Sequence, residues 1–190
     1  MKNPLEQLTN RPFSAAAPFT LLFQAAGIHD FAAAARHVLT LPYGRIADRR
    51  NLRLVLKEGR GSCTTKHALL AELACEQGIE VDLTLGIYEM SERNTPGVGR
   101  VLSAYGLEYM PEAHCYLRHE SGRIDVTGVP AGAEPIDHFS MRSRSPSTRS
   151  VPTSWSCTNG SCVIGSPARI LCAGGALRRS GESVKRVSRP

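Results

Sequence analysis

The stretch GSCTTKHALLAELACEQG, residues 61–78, and the IEVDLTLGIY that follows it, residues 79–88, decide how this chain is read. Leu69, Leu70, Leu73 and Ala74 recur at the spacing of one helical face, and Gly78 stands where such a helix stops. Gly59, Gly61 and Ser62 make a flexible approach, so the pattern predicts a helix that begins at Cys63 with Thr64 and Thr65 in its first turn. Residues 79–88 then alternate, with Ile79, Val81, Leu83, Leu85 and Ile87 on one face, which is a strand signature.

Helical spacing continues toward the N-terminus. Phe19, Leu22, Phe23 and Ala26 mark one helix that ends at Gly27, and Phe31, Ala34, Ala35 and Val38 mark a second across residues 29–39. Leu41-Pro42-Tyr43-Gly44 breaks the second, residues 5–8 allow one turn at most, and residues 51–56 fit neither period. In the other direction, residues 91–99 are a polar Ser/Asn/Pro/Gly loop and residues 98–105 a further helix. Residues 113–119 and 123–127 flank the turn Glu120-Ser121-Gly122 and predict a hairpin. The order predicts an α+β fold: N-terminal helices and a central helix packed on an antiparallel sheet.

With 190 residues, 42% of them hydrophobic, the chain can bury one substantial core. No apolar run approaches the roughly 20 residues that span a bilayer. The stretch at residues 15–26 is interrupted by Pro18 and Gln24 and lacks a cleavage signal, so the expected location is cytoplasmic, with no membrane partner and with reduced thiols. The net charge of +6 is unevenly held. Residues 1–140 carry 14 Lys/Arg against 16 Asp/Glu, net −2; residues 141–190 carry 9 Lys/Arg against Glu182 alone, net +8. This divides the chain into a domain, 1–140, and a basic Ser/Arg-rich tail, 141–190, with no helical or strand period. Such a tail is expected to be disordered, or to be the out-of-frame end of a GC-rich gene. Its single aromatic, Trp155, gives no stacking series, so nucleic acid is expected only as a non-specific attraction to the tail.

The chemistry gathers at Cys63. A thiol attacks as thiolate, and a helix N-terminus favours thiolate through unpaired N–H groups and the positive end of the dipole. A histidine on a neighbouring strand can supply an imidazolium partner and a carboxylate can orient its ring. His114 opens one hairpin strand and Asp125 lies in the other. A backbone N–H at Cys63 or a neighbour is the natural oxyanion donor. A hairpin centred on Ser121-Gly122 sets Asp125 opposite Arg118, about 13 Å along the strand from His114.

Gly61-Ser62-Cys63, the helix after it, the strand at 79–88, Ala113-His114 and Ile124-Asp125-Val126-Thr127 together resemble the core of the transglutaminase-like superfamily. The resemblance covers about residues 55–130. It implies a papain-like fold and a triad in which Cys63 is nucleophile, His114 general base and acid, and Asp125 the orienting group. It also implies acyl transfer or amide hydrolysis through a thioester, with no cofactor, on a peptide, protein or small amide. An inactive member of the same fold, serving as a binding module, is the alternative. Members often carry an aromatic residue beside the nucleophile, and this chain has Thr64-Thr65-Lys66-His67 there.

The remaining polar residues receive blander readings. His67, four residues after Cys63, shapes the pocket or sits on a solvated flank, and Lys66 faces solvent. A zinc set of Cys63, His67, His114 and Cys115 is disfavoured, because His114 and Cys115 are adjacent in a strand and leave it on opposite faces. Cys75 is expected in the core, and Cys157, Cys162 and Cys172 lack the spacing of a disulfide or zinc framework.

Overall fold

In the computed structural model the described residues are 12–128, 132–146, 155–158 and 161–164. Pro18, whose ring suits a first helical position, opens α1 (Pro18–Ala25). Gly27 ends it in the left-handed region at φ +75°, with Ile28 N–H bonded back to the Phe23 carbonyl. α2 (Phe31–Thr40) is capped by Asp30, whose carboxylate accepts from Ala33 N–H at 2.7 Å. The ambiguous stretch after residue 50 resolves as the single turn α3 (Leu54–Lys57).

The predicted central helix forms as α4 (Cys63–Glu76). Its start is fixed by a capping box: Thr65 N–H donates to the Ser62 hydroxyl, and Ser62 N–H donates to the Thr65 hydroxyl. At its far end Glu76 accepts the N–H groups of Phe19 and Thr20 at 2.9 and 2.7 Å, so α4 caps α1. Leu69, Leu70, Leu73 and Ala74 are fully buried among Phe23, Phe31, Ala34, Ala35 and Val38 from the first two helices.

α4 runs into β1 (Asp82–Met90), and α5 (Gly99–Ala104) leads to β2 (Met110–His119) and β3 (Gly122–Ile124). β4 (Met141–Pro146) completes an antiparallel sheet of order β3-β2-β1-β4. Val81, Leu83, Leu117, Ile124 and Val126 close the core against α4. The α+β class and the central helix on an antiparallel sheet therefore stand as the sequence predicts. None of the helices among the described residues is long and apolar enough to cross a membrane.

Two differences matter for the site. The sequence sets the buried face of β1 on Leu83, Leu85 and Ile87, but Thr84, Gly86 and Tyr88 are buried on the other while Leu85 and Ile87 are half-buried. The second face is covered by residues before β4: a Cβ on Gly86 would run into the ring of Phe139. The boundary drawn at residue 140 also falls inside the sheet, because Met141–Pro146 pairs with β1 from Ile87 to Asp82. Backbone hydrogen bonding, which needs no apolar pattern, holds this Arg/Ser strand. Farther on, β5 (Trp155–Thr158) and β6 (Ser161–Ile164) pair with Cys157 opposite Cys162. The rest of the expected tail, and residues 5–8, lie outside the described residues.

Candidate active site

Cys63 occupies the first position of α4, half-buried where that helix packs on β2. Its sulfur lies 3.9 Å from the Thr64 hydroxyl, which also donates to Cys115 Sγ at 3.5 Å, and Cys115 and His114 are the groups that act on its acidity. Cys115 is the largest influence lowering the Cys63 pKa; burial opposes it, and His114 adds to it. The same interaction, with burial, raises the Cys115 pKa, so Cys63 is the more acidic thiol of the two. Cys63 is therefore held as thiolate at neutral pH.

His114 and Asp125 meet. His114 Nε2 donates to Asp125 Oδ2 at 2.7 Å, and Thr127 N–H donates to the other carboxylate oxygen at 3.1 Å. The long separation expected along the hairpin is corrected by its register. His119 pairs with Gly122 across a two-residue turn, Glu120-Ser121, and Leu117 pairs with Ile124. That centre lies one residue earlier than Ser121-Gly122, which moves every partner by two. Asp125 comes level with Tyr116, on the same face as His114, and the residual two-residue diagonal is about 7 Å, within side-chain reach.

Burial by itself depresses the His114 pKa, but the bonds to Asp125 and Cys63, with their charges, raise it to about 9. Burial likewise pushes Asp125 up, and the bond and charge of His114, with the Thr127 N–H, hold it well below the usual carboxylate range. With Nε2 committed to Asp125, Nδ1 is the ring atom left to face the sulfur. The resting arrangement is thiolate, imidazolium and carboxylate in series.

Two residues read as peripheral are central to this geometry. Lys66 is fully buried, not solvent-facing, and its ammonium donates to the carbonyls of Leu41, Val126 and Thr127 at 2.5, 3.2 and 3.4 Å. Burial pulls its pKa down and the Asp125 charge partly offsets that. His67 is also fully buried. Val126 N–H donates to its Nε2 at 2.9 Å, so Nδ1 carries the proton and donates to the Cys63 carbonyl at 2.7 Å. Burial lowers its pKa and keeps it neutral, so the 3.6 Å approach to Asp125 is not an ion pair. Both ring nitrogens are used, which leaves His67 no lone pair for a metal. Together Lys66 and His67 fasten Val126 and Thr127, and hence Asp125, to the helix that carries Cys63.

Aromatic residues that the sequence does not set beside Cys63 arrive from elsewhere. Phe139 lies stacked on His114, with centroids 6.4 Å apart, and 5.1 Å from Tyr116. The guanidinium of Arg123 lies 5.6 Å over the Phe139 ring and that of Arg142 lies 5.4 Å over it. Tyr88 meets the His114 edge at 6.1 Å. Burial raises the phenol pKa of Tyr88, and that of the largely exposed Tyr43, and the Cys63 charge reaches both. Gly86 signals this packing in the sequence only through its smallness. Nothing in sequence period marks Phe139, which lies in a segment without regular structure. Cys75, expected in the core, is half-buried.

Neither protein-family models nor curated proteins nor solved structures gave a match to the chain. The site is therefore read from its own geometry.

Proposed function

We propose that this chain is a cysteine-dependent acyl-transfer or amide-hydrolysing enzyme of the transglutaminase-like, papain-like type, acting in the cytoplasm on a peptide, protein or small amide. The observation that carries the reading is the bond of 2.7 Å between His114 and Asp125 together with the place of Cys63 at the start of a capped helix, where its pKa is lowered. Structural cysteines in a core are protonated and inert; one kept ionised beside a raised-pKa histidine has the electronic state of a nucleophile.

In this mechanism the Cys63 sulfur attacks the substrate carbonyl carbon and forms a C–S bond. The first-turn N–H groups of Cys63 and Thr64, left over by the capping box, receive the developing oxyanion. His114 gives its proton to the departing amine as the C–N bond breaks, leaving a thioester on Cys63. Water or a second amine then attacks that thioester, His114 takes its proton, and Cys63 leaves as thiolate. Asp125 holds the ring with Nε2 on the carboxylate and Nδ1 toward the sulfur throughout. Incubation with p-nitrophenyl acetate tests the reading. A rapid burst of nitrophenol and one acetyl group, about 42 Da, on the Cys63 peptide are expected, with both lost in Cys63→Ser. Acetylation scattered over lysines, with no burst, would remove the basis for an enzyme and leave the binding-module alternative.

A further inference from the structure

We propose that Cys63 and Cys115 form a reversible dithiol–disulfide pair, in which Cys115 resolves a peroxide-oxidised Cys63. The acyl chemistry above gives Cys115 no role, yet its sulfur and that of Cys63 share one polar neighbour, the Thr64 hydroxyl. The Thr64 hydroxyl spans the two, donating to Cys115 Sγ at 3.5 Å and lying 3.9 Å from Cys63 Sγ. Exposure differs between them. Cys63 is open in part to solvent, whereas Cys115 is 2% exposed. A small oxidant therefore meets Cys63 first, and a second thiol stands across the Thr64 hydroxyl from it.

The steps balance with hydrogen peroxide as oxidant. The Cys63 thiolate attacks one peroxide oxygen, the O–O bond breaks, and the departing hydroxide takes the His114 proton, giving a sulfenic acid and water. The Cys115 sulfur then attacks Cys63 Sγ, the S–O bond breaks, and the released hydroxide combines with the Cys115 proton as water. Two thiols and one peroxide become one disulfide and two waters. Closing the pair to a bond of about 2.05 Å draws together the two sulfurs that flank the Thr64 hydroxyl. The disulfide removes the nucleophile, and a dithiol restores it. The consequence for acyl activity rests on the proposed function; formation of the bond does not.

The test treats the full chain with a few equivalents of hydrogen peroxide and maps the cysteines by mass spectrometry. A linked pair of Cys63 and Cys115 peptides, lighter by about 2 Da and separated by dithiothreitol, is expected. In Cys115→Ala, Cys63 should instead gain about 32 Da as a sulfinic acid that dithiothreitol does not reverse. Wild-type Cys63 accumulating as sulfinic acid beside a free Cys115, or linked to another cysteine, overturns the proposal without recourse to the variant. The linkage without any acetyl-enzyme in the nitrophenyl ester assay would sink the functional reading alone. An acetyl-enzyme without the linkage would sink only this one.

Discussion

Replacing Asp125 with asparagine isolates what the carboxylate does for His114. The ring sits with its side chain 8% exposed and donates to Asp125 at 2.7 Å, a charge-assisted bond in a largely dry place. Bonds to charged groups contribute about 1.5–3 kcal/mol, and about 1.4 kcal/mol corresponds to one pKa unit. The amide of the Asp125→Asn variant keeps an oxygen for Thr127 N–H but offers Nε2 only a neutral partner. The His114 pKa should therefore fall from about 9 by about 1–2 units, while the bond to Cys63 keeps it above the free value of about 6.5. Titration of the His114 ring carbon by NMR, assigned by its loss in His114→Ala, reads this directly. The upper pH limit of nitrophenyl ester turnover should move down by the same amount. A variant in which His114 titrates within about 0.3 unit of wild type would refute the assignment of Asp125 as its partner.

Three further outcomes follow from the same contacts. Lys66→Met removes the donor shared by the Leu41, Val126 and Thr127 carbonyls, and should lower stability by about 2–4 kcal/mol in chemical denaturation. Gly86→Ala drives a Cβ into Phe139 and should cost about 1–3 kcal/mol, and combining it with Phe139→Ala should cost less than the two changes added, as read from thermal melts. Stability should also follow the protons of the coupled pair. The raised His114 pKa contributes stability below about 6.5 that is lost as pH rises through about 9, and the depressed Cys63 pKa contributes above about 8.5 and is lost as pH falls. Between about pH 6.5 and 8.5 the folded and unfolded pair each hold one proton, so their contribution is level. Below about pH 6.5 the unfolded pair holds one more, and stability should decline by about 1.4 kcal/mol per unit from this pair, beside the fall that buried, neutral His67 adds, so the limb should be shallower in Cys63→Ala.

The parts legible in the sequence were those set by period and punctuation. Leu69, Leu70, Leu73 and Ala74 fixed the central helix, Ser62 and Gly78 its ends, and the order Cys63, His114, Asp125 the candidate site. What escaped was set by tertiary contacts that leave no period. Lys66 and His67 look like a polar flank because only apolar residues advertise burial; their partners are backbone groups some 25 to 61 residues away, which carry no side-chain signature. The His114–Asp125 distance turned on a single residue of turn register, and a one-residue change of centre shifts the partner by two. β1 looked one-faced because Thr84 and Gly86 are not apolar, although the Phe139 ring needs the space that Gly86 leaves. An Arg/Ser strand such as β4 is invisible to hydrophobic patterning, since it joins the sheet through its backbone.

The central claim is that Cys63 rests as a thiolate held by His114. It is tested most directly by the pH dependence of its alkylation by iodoacetamide, with the labelled peptide located by mass spectrometry. An ordinary thiol, with a pKa of about 8.5, gains about tenfold in rate per pH unit between about pH 5 and 8. The rate at Cys63 should be nearly level across that range, and His114→Ala, which removes the ring's share while that of Cys115 stays, should restore part of the rise. A tenfold-per-unit slope at wild-type Cys63 would contradict the account.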